Sequence, residues 1–358
     1  MGYAFNPLNL RDDKITICLK EKKGHMAERV RIVDIAEELG LSTATVSNVI
    51  HGKTKKISDE TVKRVQELLE ERRYIPSMAG LLLAQNSSRI IGVVVNDHEK
   101  YEGKTLEDAF VASSLNALLS ALEQADYFMM VKTAQEWSEV ERFASMWNME
   151  GLVLLGFCEN DYQKLREKMH IPFVVYDGYF AENEKICNLI IDNFDGGRQV
   201  GAYLRRMRHR QALLISDNSI CMDQERMEGF REGFEDGQTD FLQVPMQRAK
   251  RYAFYKENLQ RIQKCTAAFA VSDVYAAELI HFLQEQGISV PGEMSVVGFD
   301  DNALCETCFP RLTTVKQDAA KRAEMSVRAL QRLREGREGD MREVLPVQLV
   351  ERDSVKKL

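Results

Sequence analysis

From Ile90 onward, short apolar runs alternate with stretches of helical periodicity. The runs at 90–95, 128–131, 152–155, 173–176, 189–191, 212–215, 267–271 and 295–299 are four to six residues long in the main, with apolar side chains on both faces. A strand apolar on both faces is buried on both. Strands that alternate with helices build parallel sheets covered by helices. This stretch, roughly 270 residues, exceeds one comfortable core, so two such lobes with a cleft between them are expected.

The first part of the chain follows a different rule. Residues 1–28 show little periodicity and read as a flexible extension. Met26 stands just before the first helical pattern, so a start at Met26 is the other reading. From Arg31, Ile32, Ile35, Ala36 and Leu39 recur at helical spacing, Gly40 stops that helix, and Ser42 is a good N-cap for a second. The second helix, 43–51, turns Val46, Val49 and Ile50 inward and leaves Thr43, Ala44, Ser47 and Asn48 outward. A third begins after Ser58 with Asp59 and Glu60 in its first turn, where the helix dipole favours acids. Val62, Val65, Leu68 and Leu69 close the small core, and the pattern stops at Tyr74 and Pro76.

This gives a domain plan of an extension at 1–28, a helix-turn-helix unit at 29–75, a hinge and linker at 76–89, and a body at 90–358. Within the body, one lobe is expected from 90–191 and 316–340 and the other from 192–315 and 341–355. The segment SMAGLLLA at 77–84 is too apolar to stand alone and needs a partner.

A helix-turn-helix reads DNA when exposed side chains near the N-terminal end of its second helix reach base edges in the major groove. Asn48 suits adenine, and Thr43 and Ala44 offer methyl groups to thymine. Thr45 and Ser47 suit phosphate oxygens, which set register. Charge helps little: residues 29–88 hold nine Lys and Arg against eight Asp and Glu, and the whole chain is at −7. Any nucleic-acid site must therefore be local, with Lys53, Lys55 and Lys56 as a candidate phosphate contact. On spacing alone, a three-helix unit with a merely polar surface fits as well.

The runs IVDIAEELGLSTATVSNVIHG at 32–52 and SDET at 58–61, continuing to RYIP at 73–76, resemble the headpiece of the LacI/GalR family of bacterial transcription regulators. The resemblance extends from about Arg29 to Val355. It implies an all-α helix-turn-helix headpiece plus an α/β periplasmic-binding-protein-like effector domain of two Rossmann-like parallel-sheet lobes. It also implies that the segment after Pro76 is a hinge helix, with Leu83 at the position that wedges into the minor groove. An apolar wedge of this kind costs a few kcal/mol of unstacking, offset by bending DNA onto more protein. Ser77 and Gly80 replace the usual Asn and Ala, and Gly80 weakens an isolated helix by up to ~1 kcal/mol.

The body carries its own resemblance: Asp192-Asn193 with Gly196-Gly197, Arg226-x-x-Gly229-Phe230, SVVGFDD at 295–301, and Pro310-x-Leu312-Thr313-Thr314-x-x-Gln317-Asp318. In sugar-responsive members the positions of Arg226 and Asp300 contact the effector. Arg226 could donate a planar fork, and Asp300 could accept from neighbouring hydroxyls; a structural ion pair or helix cap is the alternative for both. Ser272-Asp273 stands where Asn-Asp is usual, and residues 96–103 lack the family's aromatic run, so an altered sugar preference is expected. Tyr101 and Trp137 are candidate stacking groups.

Other chemistry is set aside. The Gly-Lys-Thr triplets at 52–54 and 103–105 lack the earlier glycine of a phosphate loop, having Ser47 and His98 there. Cys305 and Cys308 have metal spacing but no second ligand pair. No catalytic constellation, cofactor motif or metal site emerges, so an enzyme is not expected. Seven scattered cysteines point to reduced thiols, and no stretch reaches the ~18 uncharged apolar residues of a membrane span. The chain reads as a cytoplasmic repressor whose partners are double-stranded operator DNA, a small-molecule effector and a second copy of itself, with no membrane. The alternative is a small-molecule sensor with a degenerate headpiece.

Overall fold

The structure, a computed structural model, describes residues 30–75, 87–157, 162–179, 186–337 and 342–358. The extension at 1–28, the hinge at 76–86 and Leu83 within it lie outside the described residues. The chain divides into two compact units, with the boundary in sequence after residue 86.

The first unit is three helices, α1 (Ile32–Leu39), α2 (Thr43–Ile50) and α3 (Asp59–Glu71). Gly40 closes α1 in the left-handed conformation at φ 63°, which glycine adopts without strain. Ser42 and Ser58 cap α2 and α3, each hydroxyl accepting the backbone N–H three residues on. Ile35, Ala36, Val46, Val49, Val65 and Leu68 form the core, while Ile50 is only half-buried.

The second unit opens with β1 (Ile90–Asn96), α4 (Ala109–Gln124), β2 (Phe128–Ala134), α5 (Trp137–Met146), β3 (Gly151–Leu155), α6 (Tyr162–Lys168), β4 (Phe173–Tyr176) and β5 (Cys187–Ile191). The chain then crosses to a second lobe with α7 (Asn193–Arg206), β6 (Gln211–Ser216), α8 (Cys221–Gly233), β7 (Gln238–Gln243), α9 (Arg248–Glu257), α10 (Leu259–Ile262), β8 (Ala267–Ala270), α11 (Asp273–Glu285), β9 (Ser295–Val297) and α12 (Leu304–Thr307). It closes with β10 (Thr314–Lys316), α13 (Ala319–Arg334), β11 (Arg342–Leu345) and β12 (Gln348–Val350).

The first sheet is all parallel, in the order β11-β5-β4-β3-β1-β2, and the second is β7-β6-β8-β9, also parallel. One expectation is corrected here: residues 341–355 do not all belong to the second lobe. Arg342–Leu345 pair with Asn188–Ile191 at the edge of the first sheet, because the chain must return there from α13 before it crosses again. The β12 strand then pairs antiparallel with β10.

Two features position the functional residues. Helices α7 and α8 cross through glycines: a Cβ at Gly197 would lie 1.9 Å from the Arg226 carbonyl oxygen, and one at Gly229 would lie 1.9 Å from that of Phe194. Only glycine permits backbone to approach backbone so closely. The second feature is the buried carboxylate Glu150. It accepts hydrogen bonds from the Ser87 hydroxyl and the Arg89 N–H, and pairs with Arg334 at the C-terminal end of α13.

Candidate DNA-reading surface and ligand cleft

On α2, Thr43, Ala44 and Asn48 are exposed and Ser47 is half-buried. The helical repeat places Thr43 with Ser47 and Ala44 with Asn48, four residues apart, on one face. Thr45 differs from expectation. Its Oγ1 lies 2.9 Å from the Ser42 Oγ, and its N–H donates to that oxygen at 3.1 Å, so the hydroxyl assigned to a phosphate is engaged in the helix cap.

Three of the unit's eight acidic residues are held in ion pairs with its own basic residues. Asp34 pairs with Arg31, Glu38 with Arg72 and Glu67 with Lys63. Lys53, Lys55 and Lys56 are exposed in the turn after α2, and among the described residues no carboxylate pairs with them. A nearly neutral unit can therefore present a locally positive edge beside a polar helix face.

In the second unit, a cavity of about 150 Å³ opens between the C-terminal ends of the two sheets. That is where open parallel sheets bind ligands. Arg226, Asp300, Ser272 and Tyr101 all line it. Trp137 does not: its ring stacks on Phe157 at 4.8 Å, in the core of the first lobe.

Arg226 is buried and held on four sides. Its Nε donates to Asn193 Oδ1 at 2.8 Å and its Nη1 to the Val271 carbonyl at 2.6 Å. The guanidinium also packs on the face of Phe299 and faces Asp300. The glycine crossing of α7 on α8 brings Asn193 and Arg226 together. Asp300, at a backbone φ of 125°, accepts from the Gln317 amide at 2.6 Å rather than from hydroxyls. Burial pushes its carboxyl well above the usual carboxylate range, with Arg226 opposing. Ser272 caps α11, its hydroxyl accepting the Val274 N–H at 3.2 Å. Both the ligand and the structural readings of these residues thus have geometry behind them.

The cavity also gathers residues that sequence reasoning missed. Asp177 and Asp217 follow the ends of β4 and β6, and Asp108 caps α4 with hydrogen bonds to the Phe110 and Val111 N–H groups. Asp223 accepts from the Ser216 hydroxyl at 2.8 Å and the Asn218 amide at 2.9 Å, and burial raises its carboxyl above the ordinary value. Lys100 faces these carboxylates. Desolvation works against its charge, but Tyr101 and the carboxylates of Asp217, Asp223 and Asp108 outweigh it and hold the ammonium above its usual value. Tyr101, Tyr176, Tyr275 and Phe110 add aromatic faces. The position just past a strand's C-terminal end was the signal for Asp177 and Asp217. Polar groups of both kinds beside aromatic rings are what an uncharged, hydroxyl-rich molecule requires.

A headpiece-like helix-turn-helix joined to a two-lobed, cleft-bearing α/β unit defines a DNA-binding regulator governed by a ligand. Comparison with known proteins agrees. Residues 31–77 match the family model for bacterial regulatory proteins of the lacI family, and residues 202–355 match the periplasmic binding protein-like domain. The HTH-type transcriptional repressor PurR of Actinobacillus pleuropneumoniae serotype 3 is 29% identical over 314 residues, covering 84% of this chain and 88% of that protein. The HTH-type transcriptional regulator CelR of Thermobifida fusca is 26% identical over 295 residues, covering 79% and 85%. Among solved structures, a lac repressor dimer bound to operator and the anti-inducer ONPF superposes with a TM-score of 0.78 at 23% identity, over 92% of this chain and all of that one. A CelR–cellobiose complex gives 0.65 at 23% identity, over 91% of this chain and all of that one. The two family models together account for more than half of the chain, in the family's order. The chain belongs to the lacI family of bacterial regulatory proteins and is a transcription regulator. Among the described residues no helix is long and apolar enough to cross a membrane.

Proposed function

We propose that this regulator is a repressor that binds a pseudo-palindromic operator as a homodimer in the cytoplasm and releases or tightens its hold when a neutral, sugar-like effector enters the cleft. The observation that carries the reading is the convergence of Arg226, Asp300, Ser272 and Tyr101 on one cavity, in a chain whose α2 leaves Thr43, Ala44 and Asn48 exposed. Each headpiece supplies few base contacts, so two are needed across a two-fold site. Thr43, Ala44 and Asn48 read bases; Ser47 and Lys53 lie against phosphates, while Thr45 holds the start of α2 through its cap with Ser42; Leu83 enters the minor groove. The kinship to a repressor solved as a dimer on its operator, and to a regulator solved with cellobiose, supports this assignment.

The mechanism is a population shift: a ligand that prefers one arrangement of the lobes changes the fraction of molecules whose headpieces are spaced for the operator. The test is retention of a random DNA fragment library on the purified protein, followed by challenge with sugars. Specific retention with a steep salt dependence, altered by a sugar, supports the proposal. Sugar binding without selective retention supports a sensor with a degenerate headpiece instead.

A further inference from the structure

Beside the cleft lies a second, smaller chamber of about 40 Å³, which shares Phe110, Tyr176 and Asp300 with it. Its remaining walls include Ser113 and Ser114 of α4, Asn302, and Arg322 of α13. Arg322 is 3% exposed. Its Nη2 is used, donating to the Leu189 carbonyl and lying 2.9 Å from Asp177, and its guanidinium covers the Tyr176 ring. Among the described residues its Nε and Nη1, and the Nδ2 of the buried Asn302, find no acceptor. Three donors without partners in a low-dielectric interior are costly unless something supplies oxygen atoms to them.

Size and charge restrict what can. A water needs roughly 10–15 Å³ of such space, so the chamber holds about three heavy atoms and not a sugar ring. An anion is disfavoured, because the Arg322 charge is already matched by Asp177 and the carboxylate of Asp318 lines the same walls. Building on the proposed sugar-like effector, we propose that the chamber is a specificity subsite that takes an uncharged oxygen-bearing arm, a hydroxymethyl group, of a ligand whose ring lies in the cleft, with Arg322 and Asn302 donating to its oxygen. The arm passes between Phe110 and Tyr176, and a ligand ending in hydrogen or carboxylate at that position is discriminated against.

The test uses three matched sets: glucose, xylose and glucuronate; galactose, arabinose and galacturonate; mannose, lyxose and mannuronate. Within each set the compounds differ only in whether the ring carries a hydroxymethyl group, a hydrogen or a carboxylate. Calorimetric titration of the full chain is expected to show the hexose at least tenfold tighter than its pentose and uronate in the set that binds. Arg322→Lys keeps the charge opposite Asp177 but removes the second pair of donors, and Ser113→Val narrows the chamber from an exposed helical position. Each is expected to bring the hexose-to-pentose ratio close to one, with thermal melting of each variant checking that it folds. An unchanged ratio in both variants, or a hexose complex whose chamber holds only water, overturns the subsite and leaves the effector reading standing. Binding of no member to the wild-type protein overturns the effector reading, and the subsite with it.

Discussion

The Nη1 of Arg226 lies 3.8 Å from Asp300 Oδ1 while its Cζ sits 3.8 Å from the centre of the Phe299 ring. Both charged side chains are buried, and the arginine is further held by Asn193 and the Val271 carbonyl. Replacing one partner of a buried pair leaves the other uncompensated, which costs about 3–5 kcal/mol. Arg226→Ala is therefore expected to lower the stability of the second unit by that amount in urea unfolding followed by tryptophan fluorescence. Asp300→Asn is expected to cost less, because burial already disfavours the charged carboxylate.

The pH dependence follows from the same region. Burial pushes the Asp273 carboxyl up to about 6, against hydrogen bonds from Thr314, Asn302 and Cys305 that pull it down. A carboxyl raised in the folded state contributes stability that is present below its unfolded value, near 3.8, and is lost as pH rises through about 6. Unfolding midpoints are expected to fall as pH rises from near 3.8 to about 6, with a shallower fall in Asp273→Asn. Asp240, lowered by its hydrogen bonds to Arg261, acts in the opposite sense and gives up its contribution only under more acid conditions.

The crossing of α7 on α8 makes a sharper structural prediction. A methyl group at Gly229 would meet the Phe194 carbonyl, and backbone cannot yield as a side-chain tip can. Gly229→Ala is expected to cost about 3 kcal/mol or more, at the upper end of overpacking effects. Gly287→Ala, at a glycine whose added Cβ meets nothing within 4 Å, is expected to cost less despite its φ of 76°. Paired thermal melts of the two variants decide the order.

On DNA, Asn48→Ala is expected to weaken operator binding by about 1–3 kcal/mol, concentrated at one base position, without changing the melting of the second unit. Lys53→Ala is expected to weaken binding to all sequences alike and to reduce the salt slope by about one. Fluorescence anisotropy on a selected operator and its point variants separates the two effects.

The parts of this chain legible in the sequence were those with apolar residues at regular spacing, including the edge strand Phe128–Ala134, of which only Ala134 is buried. Strands such as Phe173–Tyr176 and the helices α1 to α3 announce themselves because their apolar residues have one place to go. Gln238–Gln243 gave no such signal: it is an edge strand with only Leu242 buried, so its polar residues mask the pattern. Arg226 and Asp300 were found through resemblance, and their buried network explains why their spacing matters. Arg322 was missed because an arginine on an amphipathic helix reads as solvent-facing, and only the fold shows it turned inward beneath Tyr176.

The 16-residue helix α13 has Arg322 near its start and Arg334 at its end, the latter joined to the Glu150 that also holds Ser87 and Arg89. At 1.5 Å per residue it is a rod of roughly 24 Å. A continuous helix of that length joins the two ends, so a ligand that shifted its near end would also bear on the Glu150 contacts that hold Ser87 and Arg89. Sensing and signalling would then share a single mechanical part, and softening that rod with glycine at an exposed turn would leave the ligand bound but unheard.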